Sequence, residues 1–286
     1  MWIRNPAEWG AVQLTATGNA LRSFGHALAN PVVDDSLAPP QVRRISFDDL
    51  RDALIKGLDD FGAFRDDVLF VCLLYPVAGI ALALLTSNAE RLPLLFPLLS
   101  GFALIGPFAA VWLYEMCRRR ERGESVSWGE GFKAFASPAA ASIFKLGLLL
   151  IVIFALWLAV ALGIYALTIG PDLPTSVSSF VNDVFTTRAG WALIVFGVGV
   201  GSLFALLVLS ISVISFPLLL DRPVSVTTAM ATSIQAMRVN PGPMLAWGLF
   251  IAVSMLVGMI PVLIGLIVVL PVLGHAAWHL YRKIVV

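Results

Sequence analysis

From residue 68 onward the chain consists of long apolar stretches separated by short polar or basic segments, whereas the first 67 residues mix apolar and charged positions. A membrane-crossing helix needs about 20 predominantly apolar residues. Stretches of that kind run over 68–86, 92–114, 143–167, 189–220 and 244–281. The last is about twice one span, and Gly258-Met259-Ile260-Pro261 near its middle suits a tight turn. The pattern predicts an all-α, polytopic membrane helix bundle of six transmembrane helices arranged as three hairpins.

A second pattern recurs three times. Ile45-Ser46-Phe47 precedes DDLRDALIKGLDDF, Val126-Ser127-Trp128 precedes GEGFKAF, and Val224-Ser225-Val226 precedes TTAMATSIQAM. Each serine can accept the free amide of a helix N-terminus; Ser127 with Glu130 has the spacing of a capping box, and Ser46 with Asp49 is a near variant. In the first copy Phe47, Leu50, Leu54, Leu58 and Phe61 fall on one helical face, with Asp48, Asp52, Lys56 and Asp59 elsewhere. That spacing predicts an amphipathic helix lying at the membrane interface. Each hairpin is thus preceded by an interfacial helix, giving a six-span domain over 45–286 in units of about 45–123, 124–223 and 224–286. Residues 1–44 read as an N-terminal cytoplasmic segment, with a weak helix over 8–28 and a Pro- and Asp-bearing linker over 29–40.

Composition agrees with this division. Hydrophobic residues make up 59% of the 286 and charged residues 13%, against about 45–50% and about 25% in a soluble domain. That excludes an ordinary soluble enzyme. Nineteen bases nearly balance eighteen acids, which gives nucleic acid no reason to bind. Two cysteines, Cys72 and Cys117, make no disulfide framework. The N-terminal MWIRNPAEWG lacks the basic and apolar regions of a cleaved signal, so it is expected to stay on the side of synthesis.

Orientation follows from the bases, since retained loops carry the excess of Lys and Arg. With the N-terminus inside, the inner side receives the N-terminal segment, Arg118, Arg119, Arg120, Arg122, Arg222, Arg238, Arg282 and Lys283. The outer side receives only Arg91 and Arg188. Both termini are therefore expected in the cytoplasm, and the longest outer connection, 170–187, is expected to be a loop.

The strings FPLLSGFALIGPFAAVWLYEMCRRRERG (96–123) and VFTTRAGWALIVFGVGVGSLFALLVLSISVISFPLLLDRPV (184–224) resemble a family of bacterial integral membrane proteins that carry a domain of unknown function. NPGPMLAWGLF with VVLPVLGHAAWHLYRKIV extends the resemblance over about residues 40–286. It implies a bacterial inner-membrane location. Some members are labelled cytochrome c oxidase subunits, but a haem-copper catalytic subunit needs at least about half a dozen histidine ligands. This chain has His26, His275 and His279, which leaves room only for an accessory subunit.

Candidate chemistry is sparse. His275 and His279 stand one helical turn apart and can ligate a metal or haem iron. With no acid beside them in sequence, they are expected instead to join Trp278 and Tyr281 in an interfacial belt, with no cofactor held. Gly197 and Gly201 form a G-x-x-x-G pair suited to close helix packing, within the bundle or against another subunit. Arg118, Arg119, Arg120 and Arg122 suit anchoring to anionic lipid headgroups. No catalytic set can be assembled, and no charge falls centrally in a span, as ion-coupled transport would need. The sequence therefore predicts a non-enzymatic scaffold or accessory subunit that contacts membrane lipids and another integral membrane complex, or a second copy of itself. The alternative is a carrier of lipid or a small apolar solute.

Overall fold

In a computed structural model, which describes residues 40–72, 77, 97–98, 106–108, 110–124, 126, 134–135, 137–170, 174, 176–261 and 263–286, the apolar and amphipathic stretches become nine helices with no sheet among the described residues. They are α1 (Phe47–Cys72), α2 (Val111–Glu121), α3 (Ala140–Thr168), α4 (Val177–Thr186), α5 (Arg188–Ser212), α6 (Ser215–Asp221), α7 (Val226–Val239), α8 (Pro241–Met259) and α9 (Leu266–Ile284). The fold is an all-α membrane-helix protein.

Three stretches are long and apolar enough to cross a membrane: Ala140–Thr168, Arg188–Asp221 and Pro241–Met259. They correspond to the third, fourth and fifth expected spans. The first two expected spans lie largely outside the described residues, as do the weak N-terminal helix and the Ser127 cap. The sixth, α9, differs from expectation. Its last three turns carry His275, Trp278, Leu280 and Tyr281 in the protein interior instead of toward lipid.

Capping sets where the helices begin. The Asp49 amide donates to Ser46 Oγ at 3.3 Å while the Ser46 amide donates to Asp49 Oδ2 at 2.9 Å, a reciprocal pair that opens α1. Ser225 Oγ accepts the Thr228 amide at 3.0 Å and opens α7. The expected outer loop contains α4, opened by a Ser176–Ser179 capping box; its serines, read as loop formers, serve as caps. A sharp corner then leads into α5, where a Cβ at Gly190 would overlap the backbone of Asp183 and Val184.

The fourth span is broken at Val213–Ile214. Pro217 has no amide to donate to the Val213 carbonyl, and the helix restarts as α6. Ser212 and Ser215 bond back to the carbonyls of Val208 and Ile211, and the Ile214 amide donates to Ser233 Oγ on α7 at 3.3 Å. Satisfying these groups internally is what permits a break near apolar surroundings.

Helices α8 and α9 form an antiparallel hairpin. At its turn Gly258 and Gly265 meet so closely that a Cβ on Gly265 would stand 2.8 Å from Gly258 Cα. At its open end a strap of residues 41–45 ties both helices together. The Arg43 amide donates to the Ile284 carbonyl at 2.8 Å, and Val286 donates to the Gln41 carbonyl at 3.1 Å. Buried Asn240 accepts the Ile45 amide at 2.8 Å and donates to the Arg43 carbonyl at 3.0 Å.

α1 packs antiparallel along α9, the most extensive helix pairing in the described chain. Asp49 meets Lys283 at one end and Phe64 meets the His275 ring at the other. The face that packs is Leu50, Ala53, Gly57, Asp60 and Phe64, turned from the expected one: Leu50 is common to both, and Leu54 and Phe61 lie partly buried at its edge. Phe47 and Leu58 are more than half exposed. The reason is the closeness of the two helices: a Cβ on Gly57 would stand 2.7 Å from the Ala276 amide nitrogen. Close approach selects small residues, Ala53 and Gly57, for the middle of the contact face, with Leu50 and Phe64 toward its two ends.

Candidate functional site

A polar cluster lies where α1, α2 and α9 meet. α1 contributes Asp60, 5% exposed in a helix face that is otherwise apolar. α2 contributes Cys117 and Arg120. α9 contributes His275 and His279, which its 3.6-residue repeat places on one face.

The Cys117 thiol donates to Asp60 Oδ2 at 3.2 Å, and His279 Nε2 lies 2.7 Å from the same oxygen. Arg120 forms an ion pair with the other oxygen, Asp60 Oδ1, and lies over the Phe64 ring, 5.4 Å from its centroid. His275 Nδ1 lies 2.9 Å from Cys117 Sγ, while its Nε2 is buried without a hydrogen-bond partner. Asp60, Cys117 and His279 each present a ligand atom within 4.8 Å of the other two, a group that can hold a metal ion.

Electrostatics assign protonation states. Burial alone would raise the Asp60 pKa, but the hydrogen bonds from His279 and Cys117 outweigh it and hold the carboxyl below its ordinary range. Burial pushes the Cys117 thiol well up, and the Asp60 carboxylate beside it adds to the rise. The Arg120 guanidinium pulls the other way but does not outweigh these effects, so the free Cys117 is a neutral thiol and a poor nucleophile.

A second network surrounds the cluster. Trp278 Nε1 donates to Glu121 at 3.0 Å, Tyr281 donates to Asp221 at 2.7 Å, and Arg282 pairs with Glu121 and Asp221 at 3.1 and 3.2 Å. The ends of α2, α6 and α9, three segments whose bases the sequence assigns to one side, thus converge. Arg188 stands at the far end of the 25-residue α5, about 37 Å of helix away from Ser212.

The sequence-predicted residues fare differently. His275 is 0% exposed, so the interfacial-belt expectation is corrected for it. His279 keeps 15% of its side chain exposed and faces Asp60. Of the expected headgroup anchors, Arg118 donates to the Leu220 carbonyl at 2.6 Å and pairs with Glu115, Arg119 pairs with Glu115 and Glu124 at 2.9 and 3.3 Å, and Arg120 holds Asp60. Arg122 is exposed. Gly201 faces α3, where a Cβ would stand 3.0 Å from the Trp157 ring, while at Gly197 nothing among the described residues lies within 4 Å. Sequence reading missed Asp60 and Glu121 as partners of α9. They stand 219 and 157 residues from the groups they meet, and the only local hint was an acid on the apolar side of α1.

Residues 95–221, somewhat under half of the chain, match the family model described as predicted integral membrane protein (DUF2189). That segment is thus similar to a membrane-protein domain of unknown function, and the match brings no oxidase description with it. No curated protein and no solved structure matches the chain.

Proposed function

We propose that the chain is a non-catalytic scaffold or accessory protein of the bacterial inner membrane, associating through its spans with a second copy of itself or with another integral membrane complex. One observation carries this reading. Over its most apolar window the Arg188–Asp221 stretch is only 6% buried, and Gly197 and Gly199 on α5 have nothing within 4 Å among the described residues. Small residues on a lipid-level helix let another backbone approach closely, and no described residue occupies that space.

The strap supports one common side for residues 41–45 and the C-terminal residues. Residues 42–43 pair with 284–285, so an even number of crossings separates them. The same end gathers the Arg118–Arg122 run, Arg222, Arg282 and Lys283, the signature of a retained side. α1 carries charges from Asp48 through Asp67, and this keeps it and the polar ends of α2 and α9 out of the hydrocarbon. Reporter fusions after Asp172 and after Lys283 should report opposite sides of the membrane, the latter cytoplasmic.

The association is tested by native mass spectrometry of the full chain from mild detergent, wild type against the double variant Gly197→Leu, Gly199→Leu. A stoichiometric protein neighbour, lost in the variant while thermal stability is kept, is the expected result. A monomer carrying a stoichiometric lipid or apolar molecule would replace this reading with the carrier.

A further inference from the structure

We propose that Asp60, Cys117 and His279 bind one thiophilic divalent transition-metal ion of the zinc class. The inference stands on the buried cluster and is independent of the association proposed above.

The donor set is the first argument. One carboxylate oxygen, one sulfur and one imidazole nitrogen, each from a different helix, lie within 4.8 Å of one another. Thiolate and imidazole together select zinc, cobalt and related ions and disfavour magnesium and calcium, which take oxygen ligands. With metal–ligand bonds of about 2.0–2.3 Å, tetrahedral ligands stand about 3.5 Å apart. The Cys117–Asp60 and Asp60–His279 separations of 3.2 and 2.7 Å need to open by less than about 1 Å to admit an ion. Water or a further ligand would fill the fourth position.

The surroundings are the second argument. Arg120 holds Asp60 Oδ1 and leaves Oδ2 directed at Cys117 and His279, which is how an outer partner orients a ligating carboxylate. His275 Nδ1 stands 2.9 Å from the sulfur, and its Nε2 is buried without a partner. A bare lone pair at Nε2 costs less than an orphaned N–H, so the proton belongs on Nδ1, donating to Sγ. That donation favours a thiolate. On binding, the Cys117 S–H bond breaks, its proton passes to solvent, and the sulfur lone pair forms the metal–sulfur bond. Carboxylate and thiolate together then neutralise the dication.

Cobalt(II) titration of the full chain in detergent tests this, because a thiolate bound to cobalt gives an intense near-ultraviolet charge-transfer band. In the Cys72→Ser variant Cys117 is the only thiol in the sequence. This variant should bind one cobalt per chain with that band, zinc should displace it, and His279→Gln in the same background should bind at least about tenfold more weakly. Absence of a saturable charge-transfer band in Cys72→Ser overturns the proposal, as does a band whose affinity is unchanged in both His279→Gln and Asp60→Asn. If the latter two variants fail to fold, the titration of Cys72→Ser alone decides.

Discussion

The end of the molecule formed by α1, α2 and α9 is closed, while the stretch formed by α3, α5 and α8 is open. In the first, Trp278, Tyr281, Met116 and His275 are all but inaccessible, and charged groups are paired across helices. In the second, Leu203 and Leu249 are 65% and 66% exposed, with Leu148, Val152, Phe196 and Val253 also outward. The same physical rules produce both. Where water is present, burying apolar area drives packing, and internal charges require partners. At lipid depth an exposed leucine has no penalty to escape, so association rests on close fit and small residues. The closed end should therefore carry the stability of the described chain, and the open stretch should tolerate substitution except where a neighbour docks.

The most severe break in this contrast is Gly57→Leu. Overpacking typically costs about 1–3 kcal/mol, but here the obstruction at 2.7 Å is the Ala276 backbone on a neighbouring helix, which cannot turn aside as a side chain can. The expected outcome is loss of monodisperse protein in size-exclusion chromatography. Gly163→Leu on α3, where nothing lies within 4 Å among the described residues, should behave as wild type.

A pair of tryptophans measures the same contrast in energy. Trp278→Ala removes a fully buried ring and its bond to Glu121, with an expected loss of about 3–5 kcal/mol. Trp191→Ala, at a site 55% exposed where the indole donates to the Phe185 carbonyl, should lose about 1 kcal/mol. Thermal melts in one detergent compare them, and equal losses would dissolve the distinction between the two regions.

Much of the open stretch was legible in the sequence because its signal is local. Twenty apolar residues define a span wherever their neighbours lie; the helix starts that Ser46 and Ser225 cap within three residues of themselves, outside that stretch, were legible for the same reason. The closed end was not legible, because its partners are distant. Nothing near Asp60 in sequence announces Cys117 or His279. Without that acid the two histidines looked like belt residues, and the arginines after Glu115 looked free for lipid. The packing face of α1 was read only in part for a related reason: Leu50 was placed correctly, but amphipathic reasoning favours the largest apolar residues, whereas the closest contact with α9 uses Ala53 and Gly57. Ser176 and its neighbours illustrate a smaller failure, since the composition that marks a loop also marks a helix cap.

Asn240→Ala sharpens the comparison at the seam between the two regions, where α7 passes into α8. The substitution leaves the part-buried Ile45 amide and Arg43 carbonyl without their side-chain partner; water can reach them in part, so the cost is at the low end of the about 1–3 kcal/mol of a buried unsatisfied group. The strap should loosen before the bundle does. Limited proteolysis should therefore cut within residues 41–46 faster than in wild type, with the fragments remaining associated; a cut rate equal to wild type would show that backbone pairing alone holds the strap.

The smallest expected effect is pH dependence at the rim of the closed end. Asp49 accepts the Ser46 amide and pairs with Lys283 at 3.0 Å, and these contacts lower its pKa from 3.8 to about 2. A carboxyl whose pKa is depressed on folding stabilises the fold above its ordinary pKa and loses that contribution as pH falls through the folded value. For Asp49 that window runs from about pH 4 down to about pH 2. Lys283 shifts the opposite way, raised chiefly by its hydrogen bond to Asp52, so its contribution is present below the ordinary lysine range and fades only at strongly alkaline pH. The Asp52 side chain is 44% exposed, and solvent screens that pair. Melting temperatures of wild type and Asp49→Asn are recorded from pH 6 to pH 2 in a shared Asp52→Asn background, because Asp52 shares Lys283 with Asp49 and would otherwise titrate differently in the two. The chain that keeps Asp49 should melt slightly higher at pH 6, and the gap should close between pH 4 and pH 2. A gap that stays constant through that window would mean that the side chain acts only as a neutral cap for α1, and that the ion pair with α9 adds nothing to the closed end.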